Sequence, residues 1–263
     1  MSMLRVEGAT LHYRVDGPDG APVVVFSNSL GCDLRMWDAQ AAVLTDRFRV
    51  VRYDTRGHGQ SSPSDVPVTL PRLGEDVLAL LDHLDVARAH LCGLSLGGVT
   101  ALWLSAYHAE RFDHAVFANT GAKIGTNEMW DARIEAVRSG GMDAVRGAAL
   151  ERFLSAPFRA RSPEAAALVA GMIQETPAAA YVACCEALRD TDLRGVIASI
   201  RLPSLIIASE LDVSTPPSLS HELHKAIAGS SLVVIPQTAH LSSVESPGAF
   251  NAALTAFLPS TLR

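Results

Sequence analysis

Gly93-Leu94-Ser95-Leu96-Gly97-Gly98 sets one hydroxyl between glycines placed two residues before and two after it. The segment follows a strand-like run ending near Cys92 and opens a helix-like one. In that context G-x-S-x-G describes a strained strand-to-helix turn that lifts a serine Oγ clear of a sheet. The flanking glycines relieve crowding in such a turn. The N-terminus of the next helix adds partial positive charge and free N–H groups beneath a developing oxyanion. The chemistry open to Ser95 is attack on an ester-type carbonyl. The competing reading, a serine N-cap in a glycine-rich turn, is weakened by the strand before it and the helix after it.

A serine hydroxyl needs a base to take its proton. Nine histidines are available. His240, in Gln237-Thr238-Ala239-His240-Leu241, lies just past the last strand-like run, where sites of open parallel sheets collect. His58, in Arg56-Gly57-His58-Gly59, is the other loop histidine, but it precedes Ser95, whereas this turn motif expects serine, acid, then histidine. His12, His83, His90, His108, His114, His221 and His224 read as packing or surface residues. Asp212, directly after the strand-like run ending near Ala208, is the acid expected to accept from His240 Nδ1–H. Glu210 is its rival and reads as a solvated loop charge. An oxyanion needs two N–H donors. The backbone of Leu96 is one, and Leu30, in Ser27-Asn28-Ser29-Leu30-Gly31, is assigned as the other. The plain reading of that second loop is a βα turn, which Asn, Ser and Gly favour anyway.

These residues require a scaffold, and the alternation of segments supplies one. Short apolar runs occur at 22–26, 48–53, 89–92, 114–118, 204–208 and 231–235. Such runs suit strands covered on both faces. Leu73, Val77, Leu80, Leu81 and Leu84 recur at helical spacing, and 96–106, 221–228 and 249–258 read as helices. The alternation predicts an α/β fold with a mostly parallel, doubly wound sheet. The segments 3–6 and 10–15, split by Glu7-Gly8-Ala9, predict an opening antiparallel hairpin, which brings the sheet to eight strands. From 127 to 199 the pattern is helical only, with breaks at Gly140-Gly141, Pro157, Pro163 and Pro177. That stretch is expected to be a cap inserted into a core formed by 1–126 and 200–263. Long connections of this kind are where pockets form.

Composition narrows the function classes. Of 263 residues, 48% are hydrophobic and 19% charged, which fits a globular enzyme, and the formal net charge is -6. That balance calls for neither nucleic acid nor an anionic membrane as partner. It also means that an anionic substrate needs a local cation. The N-terminal residues show no apolar signal region, and no run of about 18 apolar residues suggests a membrane span. Cys32, Cys92, Cys184 and Cys185 have neither disulfide nor zinc spacing and read as reduced, buried thiols. The expectation is a cytoplasmic protein without a metal site.

Several stretches together resemble the α/β-hydrolase superfamily across nearly the whole chain. Tyr53-Asp54-Thr55-Arg56-Gly57-His58-Gly59-Gln60-Ser61 is similar to its D-x-R-G-x-G-x-S signature, which makes His58 structural. Gly93–Gly98 resembles the nucleophile turn, Asp212–Pro216 the acid loop and His240 the histidine loop. Most members carry His-Gly in the oxyanion loop, where this chain has Asn28-Ser29. With Met36-Trp37-Asp38, that loop looks like the 3-oxoadipate enol-lactonases. So does Asn119–Thr126 leading into Met129-Trp130-Asp131-Ala132-Arg133.

The resemblance implies hydrolysis of a small enol-lactone during breakdown of aromatic acids, by a serine acyl-enzyme and without a cofactor. The implied substrate carries a free carboxylate, which is costly to bury unpaired. Arg133 is the candidate partner for it, with Trp130 on the same helix face as a pocket wall. The plain alternative is a solvated Arg133 above a core Trp130. Arg138 and Arg152 read as surface. Two rival functions remain: a carboxylesterase, perhydrolase or other lactonase with the same triad, and a hydrolase-like binding protein with little turnover. Dehalogenation needs a carboxylate nucleophile, and position 95 is serine.

Overall fold

The computed structural model describes residues 2–259. The opening hairpin forms as expected: β1 (Ser2–Val6) pairs antiparallel with β2 (Ala9–Asp16), with Met3 opposite His12. β3 (Val23–Ser27), β4 (Arg49–Tyr53), β5 (Ala89–Leu94), β6 (Phe112–Ala118), β7 (Ser204–Ser209) and β8 (Ser231–Ile235) complete one sheet. Its order is β1-β2-β4-β3-β5-β6-β7-β8. β2 meets β4 antiparallel, and the pairs from β4 through β8 are parallel. After β3 the chain steps outward to β4 and then returns to place β5 on the other side. The strand order therefore reverses between β3 and β5. The crevice beyond the carboxyl ends at such a reversal is where open sheets bind ligands.

Every residue of β3, β5, β6 and β7 is buried, as their β-branched runs predict. β8 reads the same way in sequence but is an edge strand, and its Val234 is 41% exposed. Among the described residues no strand pairs with its outer edge.

Helices α1 (Asp38–Leu44), α2 (Leu70–His83) and α3 (Leu96–Tyr107) follow β3, the β4 loop and β5. Thr69 caps α2 by accepting from Arg72 N at 3.3 Å, and Pro71 sits in its first turn, where a missing N–H costs nothing. α3 is apolar nearly all round and packs against β3, β5 and β6.

Between β6 and β7 lie five α-helices: α4 (Asn127–Gly140), α5 (Asp143–Phe153), α6 (Ala156–Arg161), α7 (Pro163–Glu175) and α8 (Ala178–Asp190). The expected breaks fall at their boundaries. Gly141 takes φ 64° at the end of α4, and Pro157, Pro163 and Pro177 each sit at a helix start. Residues 1 and 260–263, the outer ends of the core range expected from sequence, lie outside the described residues. α9 (Pro217–Ala226), α10 (Ser242–Glu245) and α11 (Pro247–Phe257) close the chain. α9 starts four residues before the expected His221, because Pro217 fits the first turn of a helix. Among the described residues no single helix is long and apolar enough to cross a membrane. The four cysteines are buried and free, and burial pushes the Cys184 and Cys185 thiols up to about 12.

Candidate active site

Ser95 ends the link from β5 to α3 with φ 58° and ψ −115°, backbone angles that side chains other than glycine rarely adopt. Surrounding hydrogen bonds hold the strain in place. Ser95 N donates to Ala118 O at 3.0 Å. Its carbonyl accepts from Val99 N at 2.9 Å and from Thr120 Oγ1 at 2.9 Å. The flanking glycines are required by close approach. A Cβ on Gly93 would lie 2.0 Å from Gly97 O, and one on Gly97 would lie 2.1 Å from Ser27 O. The G-x-S-x-G spacing thus records three backbones packed without side chains between them.

The loop after β3 is fixed to this turn. Gly97 N donates to Asn28 O at 2.9 Å. Asn28 is fully buried; its Nδ2 donates to Tyr53 O at 2.7 Å and its Oδ1 accepts from Trp37 Nε1 at 2.8 Å. Asn28 therefore clamps β3, β4 and the turn before α1 together. That role accounts for the asparagine in this loop. Leu30 lines the cavity above Ser95, and Leu96 is the first residue of α3.

Asp212 and His240 come from loops after β7 and β8. His240 Nδ1 lies 2.8 Å from Asp212 Oδ2. A carboxylate only accepts, so Nδ1 carries the hydrogen and Nε2 is left with a lone pair. Asp212 is heavily engaged. Its Oδ1 accepts from Ser214 N at 2.8 Å and Thr215 N at 2.9 Å, and its Oδ2 from Thr215 Oγ1 at 2.7 Å and Asn119 Nδ2 at 2.9 Å. Burial opposes its charge, but the His240 imidazole and the Thr215 N–H and hydroxyl outweigh it and hold the carboxyl below its ordinary value. Asn119, at φ 43°, is itself held by Ser242 Oγ, which donates to its Oδ1. Phe153 packs on the His240 ring with centroids 5.3 Å apart.

Both rivals lie elsewhere. Glu210 is exposed and accepts from Gln237 N at 2.8 Å. His58 is buried in the β4 loop with Nδ1 3.2 Å from Arg56 O, and burial lowers its pKa.

Ser95 and His240 open into one cleft, with Leu30, Ser214 and Thr215 also on the core side. The helices between β6 and β7 supply Ile124, Met129, Trp130, Arg133, Arg152, Phe153, Tyr181 and Leu188 to its walls, with Ile124 just ahead of α4. Trp130 is buried and donates from Nε1 to Ile124 O at 2.7 Å. Arg133 lies over the Trp130 ring, Cζ to centroid 4.7 Å. The structure corrects the surface reading of Arg152, which lines this cleft and has a buried Nε. Arg138 is on the surface, paired with Glu186 at 2.7 Å. Helical periodicity does not separate these two arginines, because it marks the apolar stripe and not which polar side chain beside it turns into a cleft. Asn119, Thr215 and Phe153 escape a reading of roles from motif order. Their one sequence signal is position, at or beside strand ends in the case of Asn119 and Thr215.

Comparison with known proteins follows from this geometry. Residues 22–247 match the family model described as the alpha/beta hydrolase fold. The chain is 42% identical over 254 residues to 3-oxoadipate enol-lactonase 1 of Acinetobacter baylyi, covering 97% of this chain and 95% of that one. It is 39% identical over 255 residues to 3-oxoadipate enol-lactonase 2 of the same organism, with the same coverage. The crystal structure of the enol-lactonase from Burkholderia xenovorans LB400 superposes with a TM-score of 0.95 at 41% identity, covering 97% of this chain and 99% of that one.

Proposed function

Because the chain belongs to the α/β-hydrolase family, we propose that it hydrolyses the enol-lactone of 3-oxoadipate to 3-oxoadipate, with Ser95 as nucleophile. It is a hydrolase of ester or lactone bonds, and near full-length identity to two enol-lactonases supports the lactone as its substrate. The observation that carries the mechanism is the convergence of Ser95 and an Asp212-backed His240 on one cleft.

Ser95 Oγ attacks the lactone carbonyl while His240 Nε2 takes its proton. The carbonyl oxygen becomes an oxyanion that accepts from the N–H groups of Leu30 and Leu96, at the start of α3. Collapse of this intermediate breaks the ring C–O bond. The leaving oxygen departs as an enolate, whose charge is spread over oxygen and carbon; it takes up the proton held by His240 and becomes the ketone, which returns His240 to its neutral form. His240 then removes a proton from water, which attacks the acyl-enzyme, and passes that proton to Ser95 Oγ as 3-oxoadipate is released. Asp212 holds the imidazole in the required tautomer and stabilises the imidazolium. Trp130 walls the pocket, and Arg133 receives the substrate carboxylate.

The test is steady-state turnover of the enol-lactone beside p-nitrophenyl butyrate. A kcat/KM for the lactone well above that for the neutral ester is expected. Preference for the neutral ester would move the assignment to a general carboxylesterase with the same triad.

A further inference from the structure

The walls of the cleft contain an electrostatic imbalance. Arg133 on α4 and Arg152 on α5 both line it. They are close enough that Arg133, after burial, is the largest influence lowering the Arg152 pKa. Among the described residues no carboxylate lies within 4.0 Å of either guanidinium. Their neighbours bring no compensating anion into the cleft. Trp130 offers a ring face to Arg133, and the Tyr181 hydroxyl faces both arginines. Burial, opposed by the two guanidinium groups, pushes the Tyr181 hydroxyl up to about 12, so it is neutral at working pH. Glu151, the residue before Arg152, is exposed.

Several arginines elsewhere in the molecule are paired with carboxylates, although a buried Nη1 of Arg159 is also without a partner. Arg56 meets Asp76 at 2.6 Å, Arg52 meets Asp16 at 2.6 Å, and Arg189 meets Asp131 at 2.8 Å. Two cations left facing each other in a chain of net charge -6 are costly unless a bound anion neutralises them. The buried Arg152 Nε has no hydrogen-bond partner, so a donor is held in place without an acceptor.

We infer that Arg152 joins Arg133 in a two-guanidinium clamp for the free carboxylate of the substrate, and that Arg152 is a specificity-determining residue. This rests on the anionic lactone proposed above and adds a second cation to it. Position supports the role. Phe153, the next residue, packs on the His240 ring, so the clamp stands beside the reacting centre. Arg133 is oriented by the Trp130 face and lines the same cleft as Arg152, so the clamp has one carboxylate present an oxygen to each. The clamp then selects acyl groups that carry a carboxylate a short reach from the scissile carbonyl, and leaves neutral acyl groups without their best contact.

The experiment compares p-nitrophenyl hydrogen succinate with p-nitrophenyl butyrate, which differ by the terminal carboxylate, and adds the enol-lactone. Wild type is expected to prefer the succinate ester. In Arg152→Gln the ratio of kcat/KM, anionic over neutral, falls about ten- to a hundredfold, mainly through KM. Arg133→Gln behaves alike, and the double variant loses less than the product of the two, because both groups hold one carboxylate. Arg152→Lys keeps the charge without the planar fork and loses about three- to tenfold. Arg138→Gln, on the surface, keeps the wild-type ratio.

An unchanged ratio in Arg152→Gln, or equal losses on both esters, would overturn the clamp. Should Arg152→Gln fail to fold, Arg152→Lys decides, and an unchanged ratio there overturns it too. The two readings fail separately. A wild type that ignores the enol-lactone but prefers the succinate ester and loses that preference in Arg152→Gln keeps the clamp and loses the lactone. Lactone turnover undisturbed by Arg152→Gln does the reverse.

Discussion

Ser95 is held at φ 58° by a hydrogen bond from its N–H to Ala118 and by two more that its carbonyl accepts. The strain is backbone strain, so removing the side-chain oxygen should leave the turn intact. Ser95→Ala is expected to fold like wild type and to lose about 10⁵- to 10⁶-fold in kcat, read by steady-state turnover of the lactone. Asp212 acts through His240, so Asp212→Asn is expected to lose about 10⁴-fold by favouring the wrong tautomer. Its pH behaviour has a definite sign. A carboxyl held below its ordinary value stabilises the native state above that value and loses the contribution as pH falls through its folded pKa. The stability gap between wild type and Asp212→Asn should therefore be widest near neutrality and close below about pH 4. Denaturant melts from acid to neutral pH measure it, and a gap independent of pH would contradict the assignment.

At the scale of elements, the site depends on how closely β3, β5 and α3 approach. A methyl group on Gly97 would strike the Ser27 carbonyl, which is backbone and cannot swing away. Gly97→Ala is expected to cost about 1–3 kcal/mol and to lower kcat more than KM, because it displaces the loop that carries Leu30. Thermal melts and kinetics on one preparation check both halves. The β4 loop is tied to α2 by a buried, two-pronged pair, Arg56 Nε to Asp76 Oδ2 at 2.7 Å and Nη2 to Oδ1 at 2.6 Å. Asp76→Ala leaves a buried guanidinium unpaired and should cost about 3–5 kcal/mol. This pair explains why the motif residue Arg56 belongs to the scaffold. Its partner lies twenty residues away and nothing in the spacing announces it.

At the scale of the molecule, the cleft exists because a helical insert lies over a sheet. The sheet side supplies Ser95 and His240, with Asp212 behind the histidine, and the insert supplies Trp130, Arg133, Arg152 and Tyr181. Glu245, buried in α10, fastens the two. It accepts from Ser155 N at 3.0 Å, from Ala239 N at 3.2 Å and from the Ser155 hydroxyl. Leu241 N donates to Phe153 O at 2.9 Å beside it. Ala239 and Leu241 flank His240, so the same carboxylate steadies the insert and the histidine loop. Glu245→Ala strands buried donors at about 1–3 kcal/mol each. It should lower the melting temperature and reduce kcat with Ser95, Asp212 and His240 untouched. An unaltered kcat would separate the junction from the chemistry.

The strand runs and the glycine spacing around Ser95 are local patterns, set by steric rules that act within a few residues, which is why the fold class and the alternating elements were legible from sequence alone. The candidates Asp212 and His240, far from Ser95 in the chain, were placed by their order along it. The exposure of β8, the Asn28 clamp, the support of Asp212 by Asn119 and the turn of Arg152 toward the cleft depend on contacts between segments far apart in the chain. A helix shows its apolar stripe in sequence, but the direction of a polar side chain at the stripe's edge follows from what packs across from it. Only the folded chain sets Arg152 and Arg133, on different helices, into one cleft with Ser95.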